Sequence, residues 1–76
     1  MKKIKQEKNY ENNDNFKQFQ TVRLVTNDYL NLGVSKNSLG VILEVYENDY
    51  YEVEFCNEKG ETLLLQSFNK KELEIV

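Results

Sequence analysis

Histidine and tryptophan are missing from this sequence, and cysteine occurs only once, as Cys56. A zinc site made of His and Cys ligands, or a nucleophile activated by His, needs at least two such residues in one chain. Zinc enzymes and hydrolases of these kinds are therefore excluded. The lack of tryptophan also argues against the aromatic groove with which some small β domains bind polyproline.

Other chemical signatures are missing as well. The sequence has no Gly-rich phosphate loop, no P-loop lysine and no calcium-binding loop. The carboxylates of Glu44, Glu52 and Glu54 could cluster, but acid–base catalysis needs a cleft that separates their pKa values, which a chain this short rarely forms. We therefore expect a protein that is not an enzyme and has no catalytic residues, no metal and no cofactor.

Long apolar runs do not occur either. Met1, Lys2 and Lys3 have the charge of a signal-peptide start, but no apolar run of signal or membrane-spanning length follows them. The single cysteine cannot form an internal disulfide, whereas small secreted domains usually depend on several. The cytoplasm is the expected location, with no membrane partner.

Negative charge is in excess, and the net charge at pH 7 is -3. The field of such a chain repels a phosphate backbone and favours a basic partner. We therefore expect a protein partner with a basic surface, and we do not expect nucleic acid.

The 76 residues leave room for one domain. Residues 1–15 are polar apart from a few side chains such as Ile4 and Tyr10, so we predict a flexible polar tail followed by a folded domain over residues 16–76. The lysines of the tail could contact an anionic partner, and a short helix over residues 4–11 is the alternative structure for this segment.

From Phe16 onward, apolar and polar residues alternate in short runs that end at Asn, Asp or Gly, a pattern typical of half-buried strands. We predict five strands, over residues 20–26, 39–47, 50–56, 61–66 and 73–76. The predicted inward-facing side chains are those of Val22, Leu24, Val41, Leu43, Val45, Tyr51, Val53, Phe55, Leu63 and Leu65.

Loop lengths support the pairing of the three central strands. Val45 opposite Tyr51 requires a loop over residues 47–49, where Asn and Asp tolerate a positive φ. Phe55 opposite Leu63 leaves residues 58–60 as the next loop, with Gly60 at the left-handed position. Residues 27–37 read as a long excursion, and Asn69 with Glu72 has the spacing of a capping box around one helical turn. Together these features predict an all-β, SH3-like five-stranded barrel with a short helical turn before its last strand.

Four segments in this order resemble a known family: KNSLGVILEVY at residues 36–46, YEVEF at 51–55, GETL at 60–63 and EL at 72–73. They are similar to small bacterial SH3-like domains of unknown function with the pattern K-G-T-x-G-V-V-V-E-V-Y, Y-x-V-E-F, G-x-T-L and D-L. The resemblance covers residues 20–76 and departs from the pattern at Asn37, where Gly is common. It implies an SH3-like fold, no established catalytic residues and, for members encoded beside toxin-like proteins, a neutralising role.

The outward side of the central strands is the candidate binding surface. The predicted pairing places Glu44 opposite Glu52, Ile42 opposite Glu54 and Tyr46 opposite Tyr50. Such a surface could bind Arg or Lys side chains of a partner, or it could be an ordinary solvated acidic face. The predicted partner-binding residues are Glu44, Tyr46, Tyr50, Glu52, Glu54 and, on the long loop, Tyr29, which could instead cover the end of the barrel.

Three functions remain open from the sequence. The first is a protein-binding inhibitor, such as an immunity protein or antitoxin, that covers a basic surface of a toxin or nuclease. The second is a nucleic-acid-binding SH3-like module of the ribosomal or transcription-factor type that uses the lysines of the tail. The third is an accessory domain that assembles with itself through an exposed edge strand. The expected oligomeric state of the chain is a monomer or weak dimer.

Overall fold

A computed structural model describes residues 16–76, which form an antiparallel five-stranded sheet. The predicted all-β class is confirmed, and the predicted tail at residues 1–15 lies outside the described residues. No helix within residues 16–76 is long and apolar enough to span a membrane. The strands are β1 (Thr21–Leu24), β2 (Leu39–Val45), β3 (Tyr50–Cys56), β4 (Thr62–Asn69) and β5 (Leu73–Ile75), and single 3-10 turns cover Leu30–Leu32 and Lys70–Glu72.

The strands lie side by side in the order β4-β3-β2-β1-β5. Strands β1 to β4 each pair antiparallel with the next strand in the sequence. Strand β5 pairs antiparallel with β1 over three residues. Across residues 16–76 no pairing joins β4 to β5, so these strands are the two edges and the sheet is not closed. The predicted SH3-like barrel is therefore not confirmed, since β5 pairs with β1 and not with β4.

The hairpin between β2 and β3 follows the prediction at its turn. Asn48 and Asp49 have φ of 64° and 66°, and the amide of Tyr46 donates to the carbonyl of Tyr50 at 2.8 Å. Val45 lies opposite Tyr51, as predicted. Asn and Asp adopt this left-handed conformation more readily than other side chains, which explains their use here.

Further along β2, a β-bulge shifts the pairing between Ile42 and Glu44, so that Leu43 has no partner of its own. Beyond the bulge Ile42, not Leu43, lies opposite Val53. The predicted inward positions of Val41 and Leu43 are therefore wrong: Ile42 is fully buried, whereas Val41 is 37% exposed and Leu43 is half-buried. Val45 lies between the bulge and the turn and keeps the predicted side, opposite buried Tyr51, but it is 50% exposed. Because Leu43 is an inserted residue, each side chain of β2 on the far side of the bulge from the turn points to the opposite side from the one predicted.

The hairpin between β3 and β4 also has the predicted turn and a β-bulge after it. Gly60 has the predicted left-handed φ, 82°, and Cys56 pairs with Thr62, which is the predicted register. A shift at Leu63 then pairs Phe55 with Leu64 instead. The predicted inward positions of Leu63 and Leu65 are wrong for the same reason as in β2, and both side chains are exposed.

The core lies on one side of the sheet. Phe55 and Phe68 meet edge to face with ring centroids 5.4 Å apart, and Val34 reaches the core from the long connection between β1 and β2. The buried residues are Val22, Leu24, Val34, Ile42, Tyr51, Val53, Phe55, Phe68 and Leu73.

The predicted capping box is confirmed at the turn before β5. The side chain of Asn69 accepts from the amide of Lys71 at 2.9 Å, and that of Glu72 accepts from the amide of Asn69 at 3.1 Å. These two bonds satisfy amides that a helical turn leaves without partners. They therefore fix the direction in which the chain enters β5.

Gly40→Ala should destabilise the domain by about 1–3 kcal/mol, the usual cost of overpacking. An added Cβ would lie 2.8 Å from Phe55 Cε1 and 2.9 Å from the backbone oxygen of Glu54, and a strand backbone cannot move aside freely. Urea unfolding measures the change, with Leu39→Ala at the exposed preceding position as control. Equal losses in the two variants would contradict the close contact.

Leu65→Ala should change the free energy of unfolding by less than about 0.5 kcal/mol, because Leu65 is exposed. Phe68→Ala, at a fully buried position of the same strand, should cost about 3–5 kcal/mol. Urea unfolding of both variants tests the register of β4. A large loss of stability for Leu65→Ala would show that Leu65 lies in the core and that β4 has no bulge.

Candidate functional site

The side of β2, β3 and β4 that faces away from the core carries both carboxylates and aliphatic side chains. Glu44 pairs with Glu52, and Glu54 lies between Val41 on one neighbouring strand and Leu65 on the other. Since cross-strand partners point to the same side of a sheet, these five side chains share one surface. We call Val41, Glu44, Glu52, Glu54 and Leu65 the outer face.

Within the described part of the chain, hydroxyl groups and no cations contact the carboxylates of the outer face. Tyr46 donates to Glu52 Oε1 at 3.3 Å, and Thr62 donates to Glu54 Oε2 at 2.5 Å. Within residues 16–76 none of the three outer-face carboxylates forms an ion pair. The only arginine of the sequence, Arg23, pairs with Glu74 at 3.3 Å. The negative charge of this surface is therefore not neutralised by the described domain.

The pairing of Glu44 with Glu52 is confirmed, and it sets two like charges directly opposite each other. Such a pair destabilises a sheet by up to about 1 kcal/mol. The pKa of Tyr46 is raised by partial desolvation and then by the nearby charge of Glu52 and its hydrogen bond to that carboxylate, with a smaller effect of Glu44. Tyr46 thus stays a neutral hydrogen-bond donor to this acidic pair.

Aliphatic side chains continue the outer face toward the start of β2. Val41 and Leu65, 37% and 48% exposed, flank Glu54, and Leu39 and Leu63 are exposed nearby. Leu39 and Leu63 also line an open groove of about 600 Å³ at this end of the sheet. Several exposed aliphatic groups on one side are typical of a surface that another molecule covers.

Sequence reasoning assigned Val41 and Leu65 to the core and so missed them as surface residues. It placed Ile42 opposite Glu54, where Val41 lies, and this pairing is wrong because of the bulge at Leu43. A signal was present in the sequence: the centres of β2 and β4 have three consecutive apolar residues and therefore no alternation.

Tyr46 and Tyr50 close the hairpin at the end of the outer face. The backbone bond from Tyr46 to Tyr50 places the two residues opposite each other, as predicted, and both side chains are half-exposed. Their rings extend the surface beyond Glu44 and Glu52.

Tyr29 is the predicted binding residue that the structure places elsewhere. Its ring packs edge to face on buried Phe68 at 5.0 Å, and its hydroxyl donates to Glu72 Oε2 at 2.5 Å. Burial first, and then the hydrogen bond and charge of Glu72, raise the pKa of Tyr29 from 10.0 to about 12. Tyr29 connects the long loop to the turn before β5 and covers the core.

Cys56, the single cysteine of the sequence, is exposed. It follows buried Phe55 at the end of β3, so the alternation of the strand turns it outward. Among residues 16–76 no three His, Cys, Asp or Glu side chains are grouped so that they could hold a metal ion.

Tyr29→Phe should lower the free energy of unfolding at neutral pH by about 1–2 kcal/mol, because it leaves Glu72 without its hydroxyl donor while the ring packing remains. It should also change the alkaline limb of stability. The pKa of an unfolded tyrosine is 10.0, and that of the folded Tyr29 is about 12. The stability that the Tyr29 hydroxyl contributes is therefore fully present below pH 10 and is lost as the pH rises to 12.

Urea unfolding between pH 9 and pH 12 and phenolate absorbance measure these two effects. The wild-type chain should lose more stability across this window than the variant, and the phenolate transition with the highest pKa should vanish in the variant. Identical alkaline profiles would contradict the raised pKa of Tyr29 that burial and Glu72 produce together.

Neither the curated proteins nor the solved structures contain a match to this chain. The model of one family matches residues 19–75, about three-quarters of the chain and all five strands of the sheet. The chain therefore belongs to the family described as a domain of unknown function, DUF4926.

Proposed function

We propose that this chain is a non-catalytic protein-binding domain and that the outer face is its contact surface. The observation that carries the proposal is the row Val41, Glu54 and Leu65 beside the pair of Glu44 and Glu52. Acids that have no cationic partner among residues 16–76 lie beside exposed aliphatic groups on one side of the sheet. A partner that combines Lys or Arg with apolar side chains complements both properties.

The two kinds of side chain contribute differently to such a contact. Burying aliphatic surface contributes roughly 25 cal/mol per Å², so covering the exposed parts of Val41 and Leu65 supplies affinity. Charges contribute mainly to the association rate and to the exclusion of wrong partners. A cation placed near Glu44 and Glu52 would also relieve their mutual repulsion. The like-charged pair thus becomes favourable only in the complex.

Among basic partners, a toxin or nuclease is the one we favour, with this chain as its immunity protein or antitoxin. A protein that acts on nucleic acid has a basic surface that binds phosphates. A row of carboxylates on a sheet can occupy such a surface and compete with the phosphates. The net charge of -3 supports this direction of attraction.

We also propose that the fold is SH3-like. Five short strands, a long connection after β1 and a 3-10 turn directly before β5 support this assignment. In that arrangement the outer face lies on the three-stranded meander of β2, β3 and β4.

Changing Glu44, Glu52 and Glu54 together to Lys should abolish partner binding without unfolding the domain, because all three carboxylates lie outside the core. The matched control changes Asp28, Glu47 and Glu58 to Lys, three exposed loop residues that alter the net charge equally. Affinity capture from the native cell with wild-type, outer-face and control baits identifies the partner, and its dissociation constant is then measured with each purified bait.

The proposal expects a protein that the wild type and the control retain and that the outer-face variant loses. The affinity of that protein should also fall as the salt concentration rises. Equal affinity of all three baits for the captured protein would place the contact elsewhere on the chain. Circular dichroism of the outer-face variant verifies that the sheet is intact.

A further inference from the structure

Phe19 is the most exposed large apolar side chain among residues 16–76, with 70% of its surface accessible. It is not among the partly buried residues that pack against the core, which include the nearby Phe16. Its backbone, in contrast, is held firmly: its amide donates to the carbonyl of Ile42 at 2.6 Å. The side chain is thus exposed on an ordered support.

The backbone around Phe19 forms a bulge of a type that normally requires glycine. Phe19 has a φ of 71°, and the amide of Ile42 donates to the carbonyl of the next residue, Gln20, at 3.0 Å. A tight turn precedes it, closed by the amide of Gln20 and the carbonyl of Lys17 at 3.0 Å. Two residues that oppose one partner, the first of them left-handed, define the bulge in which glycine is the usual first residue.

A bulky side chain in this conformation is strained, and nothing in the core requires the ring. Glycine would form the same turn and bulge without strain. Backbone strain at an exposed bulky residue is typical of a side chain that has a function.

We propose that Phe19 is an aromatic anchor that inserts into an apolar pocket of the basic partner, an inference that rests on the proposed function. The position of Phe19 carries this assignment. The backbone of Phe19 lies beside β2, because its amide bonds to Ile42 and the side chain of Gln18 bonds to Leu43, the residue directly before Glu44. The pocket that receives the ring of Phe19 is bordered by Lys or Arg side chains on the side of Glu44.

Aromatic residues are suited to this role. They bury a large area while few torsions become fixed, and a small number of such residues carries most of the energy of many interfaces. The hydrogen bond from Gln18 Nε2 to the carbonyl of Leu43 at 3.1 Å holds the turn against β2. Because the backbone is already ordered, binding loses little backbone entropy.

The test uses the full chain and a probe of defined chemistry, an amphipathic helical peptide with Leu on one face and Lys on the other. A peptide of the same pattern with Glu in place of Lys is the control probe. Phe19→Gly removes both ring and strain, Phe19→Ala removes the ring and keeps the strain, and Phe19→Tyr keeps both. Affinity is measured by titration, and thermal unfolding is measured without peptide.

We expect Phe19→Gly to raise the melting temperature by roughly 4–8 °C and to weaken Lys-peptide binding at least tenfold. Phe19→Ala should weaken binding to the same degree without the gain in melting temperature, and Phe19→Tyr should bind within about threefold of wild type. A lower melting temperature for Phe19→Gly would overturn the inference, because the ring would then stabilise the fold.

The remaining outcomes separate this inference from the proposed function. If Phe19→Gly binds the Lys peptide like wild type while the outer-face variant with Lys at positions 44, 52 and 54 loses it, the anchor is wrong and the outer face remains. If wild type binds neither peptide, or binds both equally, the proposed function fails and the anchor fails with it.

Discussion

Two inserted residues, one in each strand beside β3, determine what this domain buries and what it exposes. Leu43 in β2 and Leu63 in β4 have no cross-strand partner of their own, so the pairing on both sides of β3 shifts by one residue. In the shifted register the core receives Ile42 and Phe68, and Val41 and Leu65 point outward beside Glu54. Core and outer face are therefore two results of the same pair of bulges.

Packing inside the domain holds this register in place. The ring of Phe55 lies so close to Gly40 that no Cβ fits between them, and this contact is possible only when the two residues are partners. Phe68 packs on Phe55 from one side and on Tyr29 from another. Because Tyr29 also bonds to Glu72 in the capped turn, the long loop and the last strand are tied to the same aromatic cluster. The outer face thus depends on contacts made on the opposite side of the sheet.

Two locally unfavourable features of this domain lie near each other. The like-charged pair Glu44 and Glu52 opposes sheet formation, and the left-handed Phe19 is strained. Both lie along β2, with Phe19 beside Ile42 and Glu44 one residue before the end of the strand, and β2 also exposes Val41 and Val45. Elsewhere the turn residues, the capping box and the buried aromatic contacts follow local preference. Local conflicts confined to one region are typical of a functional surface.

The sequence by itself determined the strands, the turns and the side chains of β3. Glu52 and Glu54 alternate with buried Val53 and Phe55, so their outward direction could be read directly, and the positive φ at Asp49 and Gly60 followed from residue type. The pairing of Glu44 with Glu52 was also predictable, because it lies between the turn and the first bulge.

Only the tertiary structure decided which aliphatic residues join those acids on the surface. The centres of β2 and β4 are apolar at three successive positions, so either register buries apolar side chains and local preference does not choose between them. The choice comes from contacts between residues distant in sequence, chiefly Phe55 against Gly40 and Phe68. The same reason explains Tyr29, whose sequence position allowed either exposure or burial and whose place was settled by Phe68 and Glu72.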